Sequence, residues 1–335
     1  MSSKTQVINA ATIGLGFGLN HVKVFTKNKY AKLISISDCD IKKKKYEKIF
    51  KTNFVKNLNE VYKNKSLNLI SIASYDNFHY GQIMQALRNG KNIFIEKPMC
   101  QNIKQFKNIR KILKKSKLNL SSNFVLRHHP KFKKVKELIN KRIIGNIYSI
   151  EGEYNYGRVE KLTKGWRGKI PFYSVVQGGG IHLIDLMIWI TGSKPREAIS
   201  VGNKIITEKS TFKFNDNNIA ILKFKNDIIA KISSNFSCVL PHHHTLKIFG
   251  SRGTIEVNKN EILLYKSRKE NLKPAKINYK KDKDYKHKLL DSFILSLVKN
   301  KKNHNPSKED IFYSLLSCFA IDKSIKSRKW EKIKI

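Results

Sequence analysis

Apolar residues in the first third of the chain fall into short unbroken runs separated by stretches of helical period. Gln6 to Ile13, Leu33 to Ser37, Leu67 to Ser74 and Ile93 to Ile95 are such runs. They are too short for helices and lack the alternation of a strand with one wet face, so the pattern predicts strands covered on both sides of a sheet. Between them the spacing turns helical: a short stretch ending near Tyr30, a second from about His79 to Asn89 closed by Gly90, and a third from Ile103 to Ser116. Strand and helix alternate four times, and a further run near Leu118 to Asn123 closes the series. The expected class is α/β: residues 1–123 form an N-terminal domain of Rossmann type with a doubly wound parallel sheet.

After Pro130 the pattern changes. A helix over Pro130 to Lys141 precedes strand-like runs at Ile147 to Tyr154, Ile219 to Phe224, Ile228 to Phe236, Leu246 to Phe249 and Thr254 to Val257. Turns such as KNDI and GSRG join them, which predicts a largely antiparallel sheet. Helices from about Lys286 to Lys299 and from Lys308 to Ile325 end the chain, after a lysine-rich loop over Lys266 to Lys288. Residues 124–335 are expected as a C-terminal α+β domain.

Composition changes this picture little. The formal charge is +42, from 67 Lys and Arg against 25 Asp and Glu. Such a balance raises nucleic acid as a partner, but the lysines are spread over nearly every element, among many Asn and Ile, and no nucleic-acid-binding motif accompanies them. The expectation is no nucleic-acid partner, with a positive field that draws anionic substrates. No apolar run approaches the roughly 18 residues of a membrane span, and the start of the sequence has no signal-peptide pattern, so a cytoplasmic protein without membrane attachment is expected. Cys39, Cys100, Cys238 and Cys318 are too scattered for a CxxC pair or a disulfide framework.

Candidate chemistry begins at the turn after the first strand. Gly14 and Gly16 match the first two positions of G-x-G-x-x-G, while the third falls on Leu19, with Gly18 one residue early. Glycines between strand and helix let backbone amides approach a pyrophosphate at the helix terminus. The second strand ends at Asp38, about twenty residues beyond Gly16, where an acceptor for ribose hydroxyls is needed. A carboxylate there repels a 2′-phosphate, so NAD is expected, with NADP left open by Lys42 to Lys45 nearby. Ser74, Asn77 and His79 follow the third strand, and Glu96, Lys97 and Pro98 leave the fourth at the sheet edge where ligands bind.

In the second domain QGGGIHLIDLMIWITG, Gln177 to Gly192, runs three glycines into a helix, with His182 and Asp185 three apart on one face. Glycine before a helix allows close backbone approach to a ligand. His242, His243 and His244 invite a metal, but neighbours on a strand point to opposite faces, so three adjacent histidines cannot converge on one ion. No metal is expected.

The glycine turn, the EKP after the fourth strand, an Arg-x-x-Pro segment at Arg127 and the GGG-x-H-x-x-D helix together resemble the Gfo/Idh/MocA family, named for glucose-fructose oxidoreductase and inositol dehydrogenase. LKIFGSRGTIEV, Leu246 to Val257, is similar to that family's Gly-x-x-Gly hairpin. The resemblance spans the chain and implies an NAD(P)-dependent dehydrogenase or reductase acting on CH-OH groups of a sugar, nucleotide sugar or inositol-like substrate. It implies an open-faced sheet in the second domain and a homo-oligomer, a dimer or tetramer. By resemblance Lys97 and His182 are the catalytic pair: His182 takes a hydroxyl proton and Lys97 stabilises the developing alkoxide. Ser74, Asn77, His79, Glu96 and Lys97 join Gly14, Gly16, Gly18 and Asp38 on the cofactor side. Arg127, Tyr156, Arg158, Trp166, Arg167 and Asp185 are expected around the substrate, Asp185 matching a position of structural character. Many members carry an aspartate four residues before the histidine; here that position is Gly178. That departure motivates an alternative, a non-catalytic NAD(P)-binding regulator or sensor of the same fold.

Overall fold

The computed structural model describes residues 7–301 and 304–335; Gln6, the expected start of the first strand, lies outside the described residues. The chain forms two compact units, Met1–Phe124 with Asp284–Lys308, and Val125–Lys283 with Glu309–Ile335.

The first unit is built on strands β1 (Ile8–Ile13), β2 (Ala31–Ser37), β3 (Asn53–Phe54), β4 (Leu69–Ile72), β5 (Asn92–Ile95) and β6 (Leu120–Ser122). They lie in the order β3-β2-β1-β4-β5-β6 and every neighbouring pair is parallel. The order reverses between β1 and β4, the switch point beside which open α/β sheets bind ligands. Helices α1 (Leu19–Lys27), α2 (Lys45–Phe50), α3 (Leu58–Lys63), α4 (Asp76–Arg88) and α5 (Ile103–Lys115) make the crossovers. All of β4 and all of β5 but Asn92 are buried, as unbroken apolar runs require of strands covered on both faces.

The second unit opens with α6 (Pro130–Asn140), β7 (Ile147–Asn155), α7 (Glu160–Thr163) and α8 (Ile181–Thr191). Strands β8 (Pro195–Asn203), β9 (Asn217–Phe224), β10 (Ile229–Asn235), β11 (His243–Gly250), β12 (Gly253–Val257), β13 (Ile262–Tyr265) and β14 (Ala275–Lys276) follow. Helices α9 (Lys288–Val298) and α10 (Lys308–Ser327) and strand β15 (Glu331–Lys332) end the chain. The sheet order is β14-β13-β12-β11-β7-β10-β9-β8-β15. Only β7 and β10 run parallel; the other neighbours are antiparallel. One face packs on α8, close enough that a Cβ on Gly152 of β7 would lie 2.8 Å from Met187. The other leaves Val201, Ile219, Ile221 and Ile229 exposed among ion pairs such as Lys231 with Glu151.

Four of these strands were not anticipated. Strand β8 begins at a proline, and β13, β14 and β15 are four residues or fewer, too short to display a period. The lysine-rich stretch thus contributes β14 to the sheet edge.

Helix α9 returns to the first unit. Its Leu289, Leu290, Phe293, Ile294 and Leu297 recur at helical spacing and pack with Ile8, Ala10, Val24, Phe25, Leu69 and Phe94. Asn28 Nδ2 donates to Asp291 Oδ1 at 2.8 Å on the rim of that contact. Phe293→Ala should therefore cost about 3–5 kcal/mol through lost burial and the cavity left behind, measured as a shift in urea unfolding followed by circular dichroism.

Candidate functional site

In the first unit the three turn glycines divide the work. Gly14 has φ +87°, and a Cβ there would sit 2.6 Å from the Ala73 carbonyl and from Ser74 N. A Cβ on Gly18 would meet Gly14 O at 1.9 Å, so Gly18 gives the close packing of helix on turn that the third motif glycine gives elsewhere. Around Gly16 no atom lies within 4 Å of the added carbon. That open side, at the start of α1, is where a phosphate can approach the backbone. Asp38 Oδ2 accepts from Leu15 N at 2.5 Å and its Oδ1 from Asp40 N at 2.9 Å, which fixes the carboxylate beside the turn. The set fits a dinucleotide: an open glycine, a helix terminus and an acceptor for ribose hydroxyls.

At the ends of β4 and β5 several of the expected cofactor residues hydrogen-bond to other parts of the first unit. His79 is fully buried, with Nδ1 2.7 Å from Pro98 O and Nε2 3.1 Å from Ser74 O, so it braces two loops instead of lining a pocket. Ser74 Oγ donates to Gln82 Oε1 at 2.7 Å. Glu96 accepts from Asn123 Nδ2 at 2.5 Å and lies 3.2 Å from His21 Nε2, while His21 Nδ1 is 2.6 Å from Ser71 Oγ. Burial would raise the Glu96 carboxyl, but His21, Asn123 and Lys97 outweigh it and hold the carboxyl below its usual range. Glu96 thus anchors the EKP turn from beneath, and the half-buried Lys97 follows it. Asn77 Oδ1 is buried and has no hydrogen-bond partner among the described residues, an acceptor available to a ligand.

In the second unit the glycines before α8 are approached by protein, which corrects the expectation of a ligand there. Residues Val176–Gly180 form a single π turn. A Cβ on Gly178 would lie 2.0 Å from Tyr173 Oη, one on Gly179 2.5 Å from the Tyr154 ring, and one on Gly180 2.3 Å from Ser234 Oγ. The space beside position 178 is therefore filled by a phenol arriving from the preceding loop. Tyr173 Oη accepts from Arg167 Nε at 2.9 Å.

His182 is half-buried on an aromatic wall. Its ring stacks on Tyr154 at 6.4 Å and 15°, and Tyr154 stacks in turn on Tyr156 and Phe236. The guanidiniums of Arg158 and Arg167 lie 5.4 and 5.9 Å from the Tyr156 ring, and Arg167 lies 4.6 Å from Trp166. Tyr156, Arg158, Trp166 and Arg167, named separately by the sequence, thus gather at one wall. Burial, then Tyr173 and Tyr156, raise the Tyr154 phenol, against the pull of Arg167 and Arg158. His244, weighed in the sequence only as a metal ligand, joins this wall. Strand alternation carries it to the same side as His242, and its ring meets His182 edge-on at 6.3 Å. Among the described residues no group of three or more metal-ligating side chains is assembled.

Arg127 and Asp185 are corrected from substrate contacts to framework. Arg127 is 1% exposed; its Nε and NH2 donate to the two Asp185 oxygens at 2.8 and 2.6 Å, and NH1 donates to Asp310 at 2.9 Å. Lys194 also pairs with Asp310. Burial alone would lower the Arg127 pKa, but Asp185 and Asp310 hold it above its usual value. A second carboxylate, the half-buried Asp322 of α10, accepts from Ser174 Oγ at 2.7 Å and Gln177 Nε2 at 2.8 Å, tying down the turn that leads into the glycines.

Comparison with known proteins is consistent along most of the chain. Residues 8–124 match an oxidoreductase family with an NAD-binding Rossmann fold, and residues 132–256 match the GFO/IDH/MocA C-terminal domain. A myo-inositol 2-dehydrogenase of Thermotoga maritima is 24% identical over 335 residues, covering 96% of this chain and 97% of the relative. Among solved structures, levoglucosan dehydrogenase in complex with NADH and levoglucosan has a TM-score of 0.88 at 18% identity, over 98% of this chain and 100% of that one. Myo-inositol 2-dehydrogenase from Lactobacillus plantarum has a TM-score of 0.82, also at 18% identity and the same coverage. At such identities the solved structures share the fold.

Two outcomes test the framework. Asp185→Ala strands a buried guanidinium and should cost about 3–5 kcal/mol in denaturant unfolding. Burial raises Asp322 from 3.8 to about 6. A carboxyl raised in the folded state favours folding at low pH and loses that contribution as pH climbs through the folded value. Asp322→Asn should therefore gain on the wild type by up to about 3 kcal/mol at pH 8 and by little at pH 4, read from unfolding curves at both values.

Proposed function

The chain belongs to the GFO/IDH/MocA family of oxidoreductases, with an NAD-binding Rossmann fold, and from that premise we propose that it transfers a hydride between NAD and a hydroxyl-bearing carbon of a sugar, nucleotide sugar or inositol-like ring. The observation that carries this reading is His182, a half-buried imidazole on the flat aromatic surface of Tyr154. Sugar rings present C–H faces that lie against such surfaces. Relatives named for inositol and levoglucosan support the same substrate class.

NAD, when bound, supplies the hydride acceptor. Gly14 and Gly18 let the turn pack closely, Gly16 leaves it open for the phosphates, Asp38 accepts from the ribose hydroxyls, and Asn77 offers a buried acceptor. His182 takes the hydroxyl proton during oxidation and returns it during reduction, work suited to an imidazole near neutral pH. Lys97 supplies positive charge for the oxygen that becomes anionic. Tyr173, whose hydroxyl fills the space beside Gly178, removes the need for a side chain at that position. The exposed apolar residues on the open sheet face suit burial in a homo-oligomer.

A panel of sugars, inositols and nucleotide sugars, followed at the reduced-nicotinamide absorbance band, tests the reading. His182→Ala and Lys97→Ala should each lower kcat by about 100-fold or more. Turnover indifferent to both substitutions would remove the assigned chemistry. Asp38→Ala should shrink the preference for NAD over NADP, seen as a ratio of kcat/KM values.

A further inference from the structure

The wall that carries His182 has two polar features that proton transfer does not use. His244 of β11 stands directly opposite Tyr154 of β7 in the ladder, its ring 4.9 Å from Tyr154 and 6.3 Å from His182. Burial, then the neighbouring His242, His129, Lys131 and His243, push it down to about 3. It is a neutral ring across the working range, and a neutral imidazole has one N–H and one lone pair to offer. Its Nε2 is buried with no hydrogen-bond partner among the described residues. Buried polar atoms are ordinarily paired, so this one points to a ligand hydroxyl.

The second feature is Arg167. Its guanidinium lies 4.6 Å from Trp166, 5.8 Å from Tyr173 and 5.9 Å from Tyr156, and its Nε is fixed on Tyr173 Oη. Three rings and one hydrogen bond thus orient a planar cation before any ligand arrives, which removes much of the ordering cost of binding. Arg158 lies over the same Tyr156 ring. Tyr154 feels Arg167 and Arg158, while His244 feels Lys131 and three histidines. The wall is aromatic at its centre, with Arg158 and Arg167 set against its Tyr156 ring.

We propose that this wall selects a sugar bearing an anionic group, a carboxylate or a phosphate, with the anion held by the Tyr173-anchored Arg167 and a hydroxyl held by His244 Nε2. The inference rests on the reading of His182 as the proton-transfer group of a dehydrogenase. It narrows the substrate to the class that planar guanidinium recognition serves.

The test compares D-glucose, D-glucuronate and D-glucose 6-phosphate at fixed ionic strength, by NAD reduction and by calorimetric binding to the NADH-loaded protein. The wild type should favour at least one anionic sugar over glucose by about tenfold or more, and the better of the two tells carboxylate from phosphate. Arg167→Gln should erase about tenfold of that preference through KM, and Arg167→Lys should restore part of it. His244→Leu should weaken calorimetric binding of all three by about tenfold, and His244→Gln should recover some of the loss. Thermal melting of each variant separates these effects from misfolding. Glucose bound as well as both anions, Arg167→Gln weakening all three alike, or no binding of any of them would overturn the proposal. Anion-selective binding without turnover would instead sink the dehydrogenase reading and leave the recognition intact.

Discussion

The second unit turns on one buried ion cluster. Arg127, following the strand-like end of the first unit, gives both oxygens of Asp185 a hydrogen bond and reaches Asp310 with its remaining nitrogen. It thereby joins a short turn, α8 and α10, with Arg127 and Asp185 buried and Asp310 at the rim. Such a cluster contributes little net stability, because desolvation offsets the attraction, but its geometry tolerates few alternatives. Asp185 lies three residues after His182, so fixing Asp185 also fixes the rotation of α8. The half-exposed imidazole is aimed by a fully buried carboxylate. Asp322 adds a second restraint on the segment entering the same helix through Ser174 and Gln177.

Glycine does its work in both units by making room. Between β1 and α1, Gly14 and Gly18 admit the protein's own backbone, and only Gly16 faces open space. Before α8 all three glycines admit other parts of the unit: a phenol, an aromatic ring and a serine hydroxyl. The last of these contacts bring the helix onto β7 and β10, close enough for His182 to stack on Tyr154. The first explains why position 178 carries no acid. A side chain there would collide with Tyr173, whose hydroxyl accepts the Arg167 hydrogen bond.

Net charge had suggested a field without an address. At the surface it is indeed spread, with lysines on nearly every element. What gives it an address is the aromatic wall, where stacking orients Arg158 and Arg167 on Tyr156. A guanidinium can lie flat on a ring while keeping its edge for hydrogen bonds, and an ammonium cannot do both.

Sequence alone determined five strands of the first unit and the helices after β1, β4 and β5, because runs of apolar residues and their helical intervals follow from local periodicity and burial, while the two-residue β3 and the six-residue α2 and α3 were not read. It also determined Asp38 at the end of β2, the glycine-rich turn before α1, and the second-unit strands that alternate cleanly. Short strands β13, β14 and β15 were illegible, since two to four residues show no period. The tertiary structure alone decided that α9 covers the first unit, for an amphipathic face announces that it needs a partner and never which one. It alone separated Arg127 from Arg167, one fully buried between carboxylates and the other caged by rings, although both look alike in sequence. It likewise turned Glu96 and His79 into supports and brought His244 to His182. Each of those outcomes depends on which distant residues share a cavity, and that is settled by packing rather than by any pattern along the chain.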